Sequence, residues 1–114
     1  MTNHPFVWFQ NGSEKPAEAV QFYEKLLGWK GSEGPGGMSM FSGEAGPFAG
    51  VGPKDDASQG WVPYAQVEDV DRATERATTL GAKVVQRRTS GPAGDFTIVK
   101  DPGGAVLALW QKAA

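Results

Sequence analysis

Phe22-Tyr23-Glu24-Lys25-Leu26-Leu27-Gly28-Trp29 is the stretch on which the fold turns. Ala19, Phe22, Tyr23 and Leu26 recur at the spacing of one helix face. Gly28 ends that helix, because glycine adopts the left-handed cap conformation without a Cβ clash. Upstream, Lys15-Pro16-Ala17-Glu18 opens it. Proline at the first helical position sacrifices no needed N–H, and Glu18 meets the positive end of the helix dipole. Earlier still, Phe6-Val7-Trp8-Phe9-Gln10 is β-branched and aromatic, bounded by Pro5 and Asn11-Gly12, and reads as a strand.

Downstream, a short strand near Trp29 precedes a Gly/Pro-rich stretch over 31–37. Strands are expected over 38–42 and 48–51, with Gly43-Glu44-Ala45-Gly46 as their hairpin loop. The polar segment 53–60 is a joint. The pattern then restarts. Residues 61–67 read as a strand, Asp69 as a helix N-cap, and Val70, Ala73, Ala77 and Leu80 as one helical face stopped by Gly81. Strands follow over 83–86, 95–99 and 105–110, with Asp101-Pro102-Gly103-Gly104 as the turn before the last. Leu27-Gly28 echoes Leu80-Gly81, and Gly34-Pro35-Gly36-Gly37 echoes Gly91-Pro92-Ala93-Gly94. One duplicated unit accounts for this. The expected fold is α+β: two tandem βαβββ modules within one domain over 1–114, module one about 5–52 and module two about 61–112. Val7, Phe9, Phe22, Leu26, Val70, Leu80, Phe96, Ile98, Leu107 and Leu109 are the expected core.

Composition narrows the function. The 114 residues carry 11 basic and 13 acidic side chains, a net charge of −2, with no basic stripe for a nucleic-acid backbone. Arg87-Arg88, an adjacent basic pair, reads as solvated strand-end charge. Zero cysteines exclude disulfides, thiolate metal sites and cysteine nucleophiles, and fit a cytoplasmic setting. No run approaches the roughly 20 apolar residues that span a bilayer, and Met1-Thr2-Asn3-His4-Pro5 does not read as a signal peptide. The one histidine, His4, cannot build a multi-histidine metal site within one chain.

Phe22–Trp29 is similar to the end of the first helix in the vicinal oxygen chelate proteins: glyoxalases, bleomycin-resistance proteins and extradiol dioxygenases. Val67-Glu68-Asp69-Val70-Asp71 resembles the start of their second helix, and Asp101-Pro102-Gly103-Gly104 running into Ala105-Val106-Leu107-Ala108-Leu109-Trp110 resembles their last hairpin. The resemblance implies a curved mixed sheet, an incomplete barrel around a cleft with the helices outside. In metal-dependent members, the first and last strands of each module supply His, Glu or Gln ligands. The matching positions here are Trp8, Val51, Val62 and Ala108, which carry no donor for a divalent ion. No metal and no cofactor are therefore expected.

Strand alternation then sorts residues by face. The cleft is expected to hold Phe6, Trp8, Gln10, Met38, Met40, Val62, Tyr64, Gln66, Asp95, Thr97, Val99, Val106, Ala108 and Trp110. Val7, Phe9, Ala65, Val67, Phe96, Ile98, Leu107 and Leu109 would pack under the helices. A mostly apolar surface with a few polar groups suits a small apolar or aromatic molecule, with Trp8, Gln10, Met38, Met40, Tyr64, Gln66 and Trp110 in contact with it. The alternative is a glyoxalase- or dioxygenase-like metal-dependent enzyme with an unidentified or intersubunit site, for which Gln10, Glu44, Gln66 and Asp95 are the available donors. No catalytic residue stands out. A third reading is a structural dimer whose cup is filled by Trp8, Met38 and Met40. Four Trp and six Phe in so small a chain leave apolar surface that a homodimer would hide.

Overall fold

The computed structural model describes residues 3–114; Met1 and Thr2, part of the N-terminal segment read above, lie outside them. The order is strand, helix, three strands, and then the same again: β1 (Phe6–Ser13), α1 (Pro16–Leu27), β2 (Lys30–Glu33), β3 (Ser39–Gly43), β4 (Gly46–Pro53), β5 (Gly60–Gln66), α2 (Val70–Thr79), β6 (Lys83–Gly91), β7 (Gly94–Lys100) and β8 (Val106–Lys112). The architecture is α+β, with mixed parallel and antiparallel pairing.

The described residues group into two compact units, Trp8–Val62 and residues 3–7 together with Pro63–Ala114. Each has the same strand plan. In the first the order is β2-β3-β4-β1, with β1 parallel to β4 and the other pairs antiparallel. In the second it is β5-β8-β7-β6, with β5 parallel to β8 and the other pairs antiparallel. A parallel pair formed by the first and last strands requires a crossover, and the helix of each repeat lies in that connection.

The helix ends follow the local chemistry. Pro16 opens α1, and Gly28 closes it at φ 71° with its N–H on the Glu24 carbonyl. The Asp69 carboxylate caps α2 by accepting from the Asp71 and Arg72 N–H groups at 3.0 and 3.1 Å.

Helix α1 buries a face shifted from the expected one, whereas α2 buries the expected face except at Leu80. Under α1 the core is Phe41, Ala49 and Val51, and the residues packed on it include Ala19, Val20, Tyr23, Trp29 and Phe48. Phe22 and Leu26 were expected inside but are 56% and 62% exposed. Trp29 returns directly after Gly28 and stacks on Tyr23 with ring centroids 5.3 Å apart. The indole takes the space that the last helical turn would have filled. In α2, Val70 is fully buried, with Ala73, Thr74 and Ala77 half-buried, while Leu80 beyond the helix end is 64% exposed. Val7 and Phe9 are also more exposed than expected, whereas Ile98 is buried and Phe96, Leu107 and Leu109 are half-buried.

Candidate functional site

Register assigns each side chain to a face. In the first unit, Gln10 lies beside Gly50, and Gly50 opposite Met40. Asn11 lies beside Val51, and Val51 opposite Ser39. The Asn11 amide reaches the Tyr23 hydroxyl on α1 at 3.5 Å, so the Asn11–Val51 row faces the helix. Trp8, Gln10 and Met40 therefore share the opposite face with Gly50 and Gly52.

Three of the expected ligand contacts meet there. The Trp8 indole Nε1–H donates to Gln10 Oε1 at 2.9 Å, and Gln10 Nε2 donates to Met38 Sδ at 2.8 Å. All three side chains are half-buried, as is Met40. The bare backbone of β4 runs close by. A Cβ at Gly50 would fall 2.7 Å from Gln10 Oε1, 3.1 Å from Trp8 Cζ2 and 3.3 Å from Met38 Sδ. Met40 folds against Gly34, where a Cβ would lie 2.6 Å from its sulfur. Composition alone does not single out Gly50 or Gly52; the signal is parity, since both are two-residue steps along the strand from the hairpin. Val51 does not join this face. It is buried with Phe41 and Ala49 under α1. The glycines on either side of it, not Val51, share the face of Trp8 and Gln10.

In the second unit, the rows Tyr64–Ala108–Ile98 and Gln66–Trp110–Phe96 share one face. The row Ala65–Leu109–Thr97 shares the other, and the Thr97 hydroxyl meets Thr74 of α2 at 2.8 Å. The expected alternation of β7 is thus reversed. Thr97 faces the helix, while Phe96 and Ile98 stand beside Tyr64 and Ala108, with the Tyr64 and Phe96 rings 5.4 Å apart. The missed signal was countable: Lys100 pairs with Val106 across the turn, so even-numbered residues of β7 oppose even-numbered residues of β8. Val99, one step further along the Thr97 face, is buried. Ala108 is buried, and Tyr64 and Trp110 are half-buried; Val62, the last residue of the first unit, is also buried.

The remaining polar candidates have other settings. Gln66 borders a recess of about 430 Å³ with Asn3, His4, Pro5, Val67, Glu68, Gln111 and Lys112, at the C-terminal ends of β5 and β8. Glu44 is exposed in the turn between β3 and β4. Asp95 is clamped by Arg88, whose Nε lies 2.7 Å and Nη2 2.6 Å from its Oδ2, while Nη1 reaches Asp71 of α2 at 2.6 Å. The hydrogen bond from Arg88 holds the Asp95 carboxyl below the usual carboxylate range, and partial desolvation opposes it. Asp95 is a structural anion of this clamp.

Of the positions that the family resemblance matches to metal ligands, Val51 faces α1, Val62 and Ala108 present only aliphatic carbon, and the Trp8 indole is a hydrogen-bond donor without a free lone pair. Among the described residues, no three His, Cys, Asp or Glu side chains are grouped to hold a metal. No helix among them is long and apolar enough to cross a membrane.

Similarity to known proteins agrees with the fold. The anthracycline biosynthesis protein DnrV of Streptomyces peucetius is 29% identical over 126 residues, covering 92% of this chain and 46% of its own length. The glyoxylase-named protein CFP32 of Mycobacterium bovis is 31% identical over 117 residues, covering 91% and 44%. The chain thus spans about half the length of the curated relatives it matches. A crystal structure of a glyoxalase/bleomycin resistance protein/dioxygenase superfamily member from Vibrio splendidus superposes with a TM-score of 0.66 at 13% identity, covering 97% of this chain and 100% of that one. The glyoxalase-like domain profile matches residues 7–110. With that span and the repeated βαβββ plan, the chain belongs to the glyoxalase-like domain family, within the vicinal oxygen chelate superfamily.

Proposed function

We propose that this glyoxalase-like chain binds a planar, largely apolar aromatic molecule without the help of a metal, on the face that carries Trp8, Gln10, Met38 and Met40. The observation that carries the reading is the tethered indole. Trp8 is half-buried, its N–H is held by Gln10, and glycine backbone lies beside it where a side chain would interfere. A fixed indole gives stacking area at little entropic cost, and thioethers adapt to the outline of a ring. Aliphatic side chains at Val62 and Ala108, two of the positions matched to the family's ligands, support a metal-independent role. Tyr64, Gln66 and Trp110 belong to the other unit and are proposed as contacts of a small molecule on that unit's own face. Relatives named for anthracycline biosynthesis support a polycyclic ligand class.

Calorimetric titration with anthracene-2-sulfonate tests the proposal. Saturable binding is expected, weakened roughly tenfold by Trp8→Ala. Absence of binding, or binding indifferent to Trp8, contradicts it.

We also propose that the chain forms a homodimer. Phe22, Leu26 and Leu27 on the outer face of α1 are at least half exposed, and contiguous apolar surface of that kind favours association. Light scattering at high micromolar concentration should give a dimer mass; a monomer mass contradicts the proposal.

A further inference from the structure

We propose that Gln10 selects ligands by a carbonyl oxygen, so that the preferred class is a planar aromatic ketone or quinone and not a plain hydrocarbon. This rests on the aromatic-binding reading above and adds a polar requirement to it.

The argument starts from the indole, which can only donate. Because Trp8 Nε1 lies 2.9 Å from the Gln10 carboxamide, the atom facing it must be the oxygen. That assignment turns the Gln10 NH2 towards Met38, whose sulfur is 2.8 Å away. A thioether is a weak acceptor. A half-buried amide donor with sulfur as its partner gains when a carbonyl oxygen replaces that partner. The exchange leaves the Trp8–Gln10 bond intact, so the stacking surface and the polar contact do not compete.

Gly50 holds the arrangement in place. Its missing Cβ would stand 2.7 Å from Gln10 Oε1 and 3.1 Å from the Trp8 ring, so the amide and the indole edge lie close over bare backbone. Gln10 is thereby held two residues along the strand from the indole. A ring stacked on Trp8 brings a carbonyl on its rim within reach of Nε2, whereas a hydrocarbon of the same outline leaves Nε2 on sulfur.

The test compares two probes of equal charge and similar outline, 9,10-anthraquinone-2-sulfonate and anthracene-2-sulfonate, by calorimetric titration of the full chain. The native protein should prefer the quinone by about three- to tenfold, the worth of one net hydrogen bond. Gln10→Leu should bring the two affinities within about twofold of each other, a ratio that is read whatever the loss of the indole tether does to either affinity. Met38→Leu should keep the preference. If Gln10→Leu fails to fold, judged by circular dichroism and melting, Gln10→Glu replaces it. That variant keeps an acceptor for Trp8 but has no donor, so it should lose the preference too. Equal binding of both probes by the native protein, or a quinone preference that survives loss of the amide, overturns the selector while leaving aromatic binding standing. Failure of both probes to bind overturns both.

Discussion

Trp8 and Gln10, two residues apart on one strand, are joined by a 2.9 Å hydrogen bond from the indole N–H to the carboxamide oxygen. Alternation puts both side chains on the face away from α1. The bond fixes the ring edge and, through it, the direction of the amide N–H groups. Near-ultraviolet circular dichroism should register the constraint: Gln10→Leu is expected to change the indole bands while leaving the far-ultraviolet spectrum intact. An unchanged indole spectrum would mean that the ring is held by packing alone.

The aromatic core of the same unit gives a stability prediction. Phe41 is fully buried and touches both Tyr23 and Trp29, with ring centroids 5.9 and 5.1 Å away. Phe41→Ala should destabilise the protein by about 3–5 kcal/mol, the usual cost of emptying a buried aromatic site. Chemical denaturation reads this directly. A loss under about 1 kcal/mol would show that the cluster collapses around the gap.

Tyr23 is a hub by its hydroxyl as well as its ring. The hydroxyl accepts from Trp61 Nε1 at 3.0 Å and from the amide of Asn11, which is only 7% exposed. Tyr23→Phe keeps the packing but leaves a buried amide without that partner, so a loss of about 1–3 kcal/mol is expected. Asn11→Leu in the Tyr23→Phe background should recover part of it, because removing both polar partners removes the desolvation penalty.

Much of this was legible in the sequence, and the reasons for the gaps are physical. The helix ends at Pro16, Gly28 and Asp69 rest on local backbone chemistry and fall where expected. The repeat order also reads directly, because each strand and turn carries its own composition signal. What fails is tertiary. No local rule says that Trp29 folds back beneath α1 and leaves Leu26 in solvent. The face of β7 depends on pairing across a turn, so an argument from Thr97 alone reverses it. At the site, Trp8, Gln10 and Met38 are recognisable as a mixed apolar and polar set, but the hydrogen bonds among them are visible only once Gly50 is seen to leave room for them.

The clamp of Arg88 between Asp71 and Asp95 predicts a pH dependence. Asp95 is held below its ordinary carboxylate range, first by its hydrogen bond from Arg88. Its contribution is therefore fully present above the unfolded-state value of about 3.9 and is lost as pH falls through the lower folded-state value. Arg88→Met should lower the melting temperature by the same amount across neutral and mildly acidic pH. The gap to the native protein should close below about pH 4. A gap that instead closes between pH 6 and 8 would assign the effect to a different group.

The central claim, that a metal-free face built around Trp8 binds a planar aromatic molecule, is tested most directly by titrating chelator-treated, dialysed protein with anthracene-2-sulfonate before and after adding back zinc. The account predicts saturable binding whose affinity is unchanged by the metal and is weakened by Trp8→Ala. Binding that disappears on chelation and returns with a stoichiometric divalent ion would contradict it and place the protein among the metal-dependent members of its family.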